Sequence, residues 1–189
     1  MYNKKLIFLL QISALLICAS AFGQTAESPQ GDNSWISADS NYFTIYYRPS
    51  ADLKRIDSQI QQRTLYFDQP VAYGETTAEQ RIAMRLDKLF NRVKEVLGMY
   101  PKIQKVKIKI FKNRAELREE YFRIFNKEEN FRSFYINEYN TIYTSESDID
   151  DSVIIHEMAH VIIDHYFAVT PSEKASEILA SYVDLHLEK

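Results

Sequence analysis

One segment constrains this chain more than any other. It is the eleven-residue run Val153-Ile154-Ile155-His156-Glu157-Met158-Ala159-His160-Val161-Ile162-Ile163, in which three ionisable residues interrupt an apolar stretch. On a helix, residues four apart stack on one face, so His156 and His160 point the same way about one turn apart. That spacing suits two nitrogen ligands on one zinc ion. Glu157 sits about 100° further round the helix and can reach water at such an ion without ligating it. The apolar flanks leave the helix almost no solvent face, and burying unpaired His and Glu is costly unless something satisfies them. A metal ion with its water satisfies all three together. The motif helix is expected over about residues 149–167, with Ser147 or Asp148 as cap. Asp148, Asp150 and Asp151 put negative charge where the helix dipole favours it.

The N-terminus reads as a secretory signal over residues 1–23. Lys4 and Lys5 precede an apolar core from Leu6 to Cys18, and Ala21-Phe22-Gly23 offers a cleavage site before Gln24. The apolar run is too short and too interrupted for a good membrane span. The expected location is secreted or periplasmic, with no stable membrane span after cleavage. Residues 24–40 are expected to be a flexible lead-in, polar at first, and residues 41–189 a single domain. Cys18 is the only cysteine, so the mature chain would have no disulfide, thiol ligand or thiol nucleophile. The formal charge of −3 becomes −5 when Lys4 and Lys5 are removed, which argues against nucleic-acid binding.

Along the domain, Asn41 to Tyr47 is aromatic and β-branched and reads as a strand. Ala51 to Tyr66 is a weak helical segment, and Phe67 to Thr76, with Pro70 and Gly74, is a loop. Thr77 and Gln80 form a capping box for a strong helix whose apolar positions run from Ile82 to Leu97, ended by Gly98. Lys105 to Phe111 alternates strictly, with Val106, Ile108 and Ile110 on one face and a lysine row on the other. The lysine row is read as a solvated sheet face or a guarded edge, not as a partner-binding patch.

Asn113 and Glu116 open a helix to about Phe125. Phe131 to Thr144 reads as a β-hairpin around Asn137-Glu138-Tyr139-Asn140, with Thr141 to Ser145 as its second strand. After the motif helix, Thr170 and Glu173 suggest a last capping box with Pro171 at the first helical position. The final helix is expected to bury Ala175, Ile178, Leu179, Tyr182 and Leu185. Glu177, Ser181, Asp184 and Glu188 share a narrow arc that spacing alone cannot distinguish from a solvent face. These elements predict an α+β fold, a small mixed or antiparallel sheet packed on helices.

A catalytic zinc site usually has three protein ligands. The continuation His-x-x-Gly-x-x-His fails, because Ile163 and Tyr166 stand where Gly and His would be. The acidic candidates on the next helix are Glu173, Glu177, Asp184 and Glu188. Here His156-Glu-Met-Ala-His160, followed by Glu177-Ile-Leu-Ala-Ser-Tyr-Val-Asp184, resembles the gluzincin metallopeptidases and the small secreted zincin-like domains.

The resemblance covers most of residues 41–189 and implies a zincin-like fold, in which the motif helix is followed by a glutamate-bearing helix. It singles out Glu177 as third ligand and implies that Thr141 to Ser145 is the sheet edge over the cleft. Ile178 departs from the glycine common after the ligand glutamate. Ser181 stands where some relatives carry an acidic residue that orients a histidine. Tyr182, His165, Tyr166 and His186 are read as core or surface residues.

The expected activity is that of a zinc-dependent peptidase. Zinc on His156, His160 and Glu177 would activate water, Glu157 would be the general base, and a peptide or protein the substrate. The alternative is a zinc-binding domain with little or no peptidase activity, used for binding or assembly.

Overall fold

The computed structural model describes residues 34–60 and 76–187, all within a unit spanning Asp32–Lys189. The expected signal segment, the start of the lead-in, residues 61–66 of the weak helical segment, most of the loop before Thr77, and Glu188 lie outside the described residues. Five strands form one mixed sheet: β1 (Ile36–Asp39), β2 (Phe43–Tyr47), β3 (Val106–Phe111), β4 (Ser133–Ile136) and β5 (Thr141–Ser145), in spatial order β1-β2-β3-β5-β4. Five helices accompany them: α1 (Leu53–Gln59), α2 (Ala78–Leu97), α3 (Arg114–Phe125), α4 (Asp151–Tyr166) and α5 (Glu173–Leu187). The α+β expectation therefore holds at the level of class, with a mixed sheet. Among the described residues, no helix is long and apolar enough to cross a membrane.

The sheet is parallel in its middle and antiparallel at both ends. β2, β3 and β5 run parallel, while β1 and β4 pair antiparallel to β2 and β5. Parallel neighbours need a crossover connection, supplied by α1 and α2 between β2 and β3 and by α3 between β3 and β5. The crossovers divide the core. Phe43, Ile45, Val106, Ile108, Ile110 and Ile142 pack with α2, α4 and α5 in the main cluster. Phe111, Leu117, Ile136 and Tyr143 form a second cluster involving α3.

α2 begins and ends as its sequence dictates. Thr77 Oγ1 accepts from the Gln80 amide, Gln80 Oε1 accepts from the Thr77 amide, and Gly98 closes the helix at φ 63°. A residue with a side chain is strained at that angle, which is why glycine ends the helix. α2 also anchors the first turn of the sheet. The buried Asp87 carboxylate accepts from Ser40 Oγ and from the amides of Asn41 and Tyr42.

Four expectations change. Ile36–Asp39, inside the expected lead-in, is a strand paired with β2. The lysine row lies on a central strand, so it guards no edge, and of its two readings the solvated sheet face holds, with Lys107 exposed. Lys109 approaches Glu120 and the rings of Trp35 and Tyr143, and Lys105 pairs with Asp39. Thr141 to Ser145 is interior to the sheet, between β3 and β4, so β4 is the edge. α5 buries Ser176, Ala180, Val183 and Leu187, and leaves Ile178, Tyr182 and Leu185 exposed.

Candidate metal centre

α4 starts where Asp150 Oδ1 accepts from the Val153 amide. Asp150 is thus the cap, in place of Ser147 or Asp148. Asp148 is held instead by Arg114, Ser145 and Ser147. Most of the α4 circumference is core: Ile154, Ile155, Met158, Ala159, Val161, Ile162 and Ile163 are fully buried. The remaining strip carries His156 and His160, half-buried, and opens into a cleft of about 750 Å³. The histidines are therefore less enclosed than the apolar flanks suggested, because α4 lines the cleft floor along that strip. β4 and α3 contribute one wall, and the start of α5 with Thr170 and Pro171 the other.

α5 turns Glu177 onto both histidines. Glu177 Oε1 lies 3.2 Å from His160 Nε2, and Oε2 lies 3.5 Å from His156 Nε2. The two Nε2 atoms are 3.2 Å apart. One ligand atom from each residue falls within a set spanning no more than 4.8 Å. Two imidazole nitrogens and a carboxylate oxygen converging in this way are a donor set that zinc accepts. The 3.2 Å spacing of the two nitrogens is that of a hydrogen bond when one of them keeps its proton, and the same convergence leaves their lone pairs open to a shared cation when neither does.

The second imidazole nitrogen decides which face of His156 is presented. Its Nδ1 donates to Asp184 Oδ2 at 3.0 Å, so in the neutral ring Nε2 is the lone-pair nitrogen toward Glu177 and His160. The hydrogen bond to Asp184 raises the His156 pKa, against the opposing effect of burial. Burial, with His156 nearby, lowers that of His160. Asp184 lies seven residues after Glu177, two helical turns, so both face α4. The sequence arc of Glu177, Ser181 and Asp184 contained this information, but its simplest reading was a solvent face. Glu173 lines the cleft without joining the three-residue group.

Glu157 stands apart from the donor set. It is buried, and its Oε1 accepts from Ser133 Oγ on β4 at 2.6 Å. Burial pushes its pKa up to about 7, although the Ser133 hydrogen bond pulls the other way. A carboxylate near that value can take a proton and return it at neutral pH. Ser133 had no recognisable signal in the sequence, since only the placement of β4 beside α4 brings it to Glu157. His165 and His186 donate Nδ1–H to the carbonyls of Val161 and Tyr182 on their own helices, and Tyr182 is an exposed residue stacked on His186. Comparison with protein-family models, with curated proteins and with solved structures gave no match.

Proposed function

We propose that the chain is a zinc-dependent peptidase of gluzincin type, with His156, His160 and Glu177 as metal ligands and Glu157 as general base. The observation that carries this reading is the convergence of the three donors beside a buried carboxylate, in a cleft lined by the edge strand. Zinc bound there would supply Lewis acidity to a carbonyl and to water.

The remaining work belongs to the chain itself. Glu157 takes a proton from water and delivers it to the leaving amine. Asp184 fixes the tautomer of His156, and Ser133 fixes the Glu157 carboxylate. β4 offers its outer edge to an extended peptide, which pairs with it as an added strand. Export to a secreted or periplasmic location rests on the N-terminal pattern of residues 1–23.

A second reading is a zinc-binding domain without turnover, used for binding or assembly. It is favoured by the Ser133 hydroxyl, which already occupies one oxygen of Glu157 at 2.6 Å. One experiment separates the two. Chain purified without added metal, then reloaded with zinc, is assayed on a broad peptide pool beside Glu157→Gln. A peptidase shows about one zinc per chain in both proteins and hydrolysis that falls by ~10²–10⁴-fold in the variant. Zinc without hydrolysis in either protein supports the binding domain. A chain that stays metal-free after reloading removes both readings.

A further inference from the structure

The cleft wall above the metal-ligand group is aromatic. Tyr121 and Phe125 from α3, Phe131 from the segment before β4, and Phe134 on β4 form one cluster, with Tyr121 4.6–5.2 Å from the other three rings. All four line the same cleft as His156 and Glu157. Phe134 at its base packs on the buried core of Leu117, Ile136 and Tyr143, whereas Phe125 and Phe131 stand further out. Phe125 and Phe131 remain 42% and 45% exposed. Grouped apolar exposure in a groove marks a surface that meets a ligand.

The sheet says what kind of ligand. Among the described residues, β4 is the last strand, paired on one side only, with β5. Its consecutive residues Ser133 and Phe134 face opposite ways, the first to Glu157 and the second to the stacked ring of Tyr143 and to Tyr121. A strand added to the free edge alternates in step with β4, because directly opposed residues share a face. The residue opposite Ser133 then turns its side chain toward Glu157, and its neighbour opposite Phe134 turns toward the aromatic cluster. One residue step, ~3.3 Å, separates the two.

We propose that Phe125, Phe131 and Tyr121, with Phe134 at their base, form a side-chain subsite for an extended peptide carrying an aromatic or large aliphatic residue within two positions of the peptide bond that faces His156 and His160. The proposal rests on reading the cleft as a peptide site, and it does not require that the peptide be cut. Rings seated edge-to-face against Phe125 and Phe131 bury apolar area and gain directed aromatic contact. A charged or small side chain gains neither.

The test is binding rather than turnover. Fluorescein-labelled ten-residue peptides, identical except for a central Phe or Ala, are titrated by anisotropy into zinc-loaded Glu157→Gln chain. The expected result is binding of the Phe peptide about tenfold tighter than the Ala peptide. Phe125→Ser with Phe131→Ser should abolish that difference and leave zinc affinity unchanged. Phe131→Ser alone, outside any helix or strand, should reduce it if the double variant folds poorly.

The proposal is overturned if neither peptide binds, if both bind equally, or if the tenfold preference survives in the folded double variant. It is also overturned if sedimentation shows that the patch holds a second copy of the chain, as a dimer that the double variant loses. A parent protein that prefers the Phe peptide yet hydrolyses nothing keeps the subsite and rejects the peptidase. Hydrolysis with no preference for Phe does the reverse.

Discussion

The carboxylate of Asp184 accepts a hydrogen bond from Nδ1 of His156 at 3.0 Å, across 28 residues of sequence and between two helices. It couples the helix that carries Glu177 to the helix that carries both histidines, so the third donor and the orientation of the first are set by the same contact. Asp184→Asn is therefore expected to keep the fold but weaken zinc binding by roughly 10–100-fold, the usual cost of losing such an orienting partner. Competition against a chromophoric chelator measures this. Zinc affinity equal to the parent would mean that Asp184 merely occupies a polar position on α5.

A second expectation concerns how α5 is seated. Ala180 is fully buried and Ser176 nearly so, whereas Ile178 and Leu185 are each 62% exposed. Ala180 lies in the main core cluster with the α4 isoleucines, so a larger side chain at this position must displace its neighbours. Ala180→Leu should overpack this contact, at a cost of about 1–3 kcal/mol. It should also weaken zinc binding, because Glu177 and Asp184 move with the helix. Ile178→Ser should stay within about 0.5 kcal/mol of the parent. Thermal melts and zinc titrations of both variants check the pair. The opposite order would restore the face that apolarity alone suggested.

That reversal shows where the sequence was legible and where it was not. α2 was readable because its signals are local: the Thr77–Gln80 box and Gly98 act within one turn of each helix end. The pairing of His156 with His160 was readable for the same reason, the two being one turn apart. Glu177 came from a resemblance, since several acids on α5 satisfied spacing equally. β1 was missed because Ile36–Asp39 has little strand propensity of its own. Its turn into β2 is pinned by Asp87, more than 40 residues away. The interior position of β5 was missed because strand order depends on where α3 crosses the sheet, which no short window of sequence records. Ser133 reaches Glu157 only through that same strand order.

Acid sensitivity should concentrate at the entrance to α4. Burial works to raise the Asp148 pKa, but hydrogen bonds from Arg114, Ser145 and Ser147 outweigh it, so the group sits below its ordinary 3.8. A carboxyl depressed by folding stabilises fully above its unfolded value, and that contribution is lost as pH falls through the lower folded value. Asp148→Asn should therefore melt below the parent at pH 7, and the gap should narrow once pH drops beneath 3.8. Melting curves from pH 7 downward, in the metal-free chain, test this. A gap that stays constant with pH would assign the loss to packing rather than to charge.

The last expectation separates two carboxylates that stand near one centre but do different work. Glu177 Oε1 is 3.2 Å from His160 Nε2 and belongs to the converging donor set, whereas Glu157 is buried against Ser133 and lies outside it. Zinc is expected to raise the melting temperature of the parent, because a ligand bound only by the folded state stabilises by RT ln(1 + [L]/Kd), and Glu177→Ala should lose zinc affinity and that rise with it. Glu157→Gln should keep both, since it removes no donor. The Glu177 side chain is half exposed, so its removal opens no core cavity, and the metal-free variant should melt close to the metal-free parent. The measurements are zinc affinity and melting temperature with and without zinc for the three proteins. If Glu177→Ala retains the zinc-dependent rise in full, the third ligand is elsewhere, and Glu173 is the next carboxylate on the cleft wall to remove. If Glu157→Gln loses the rise while Glu177→Ala keeps it, the assignments of the two residues are exchanged, and the proposed general base would be a ligand.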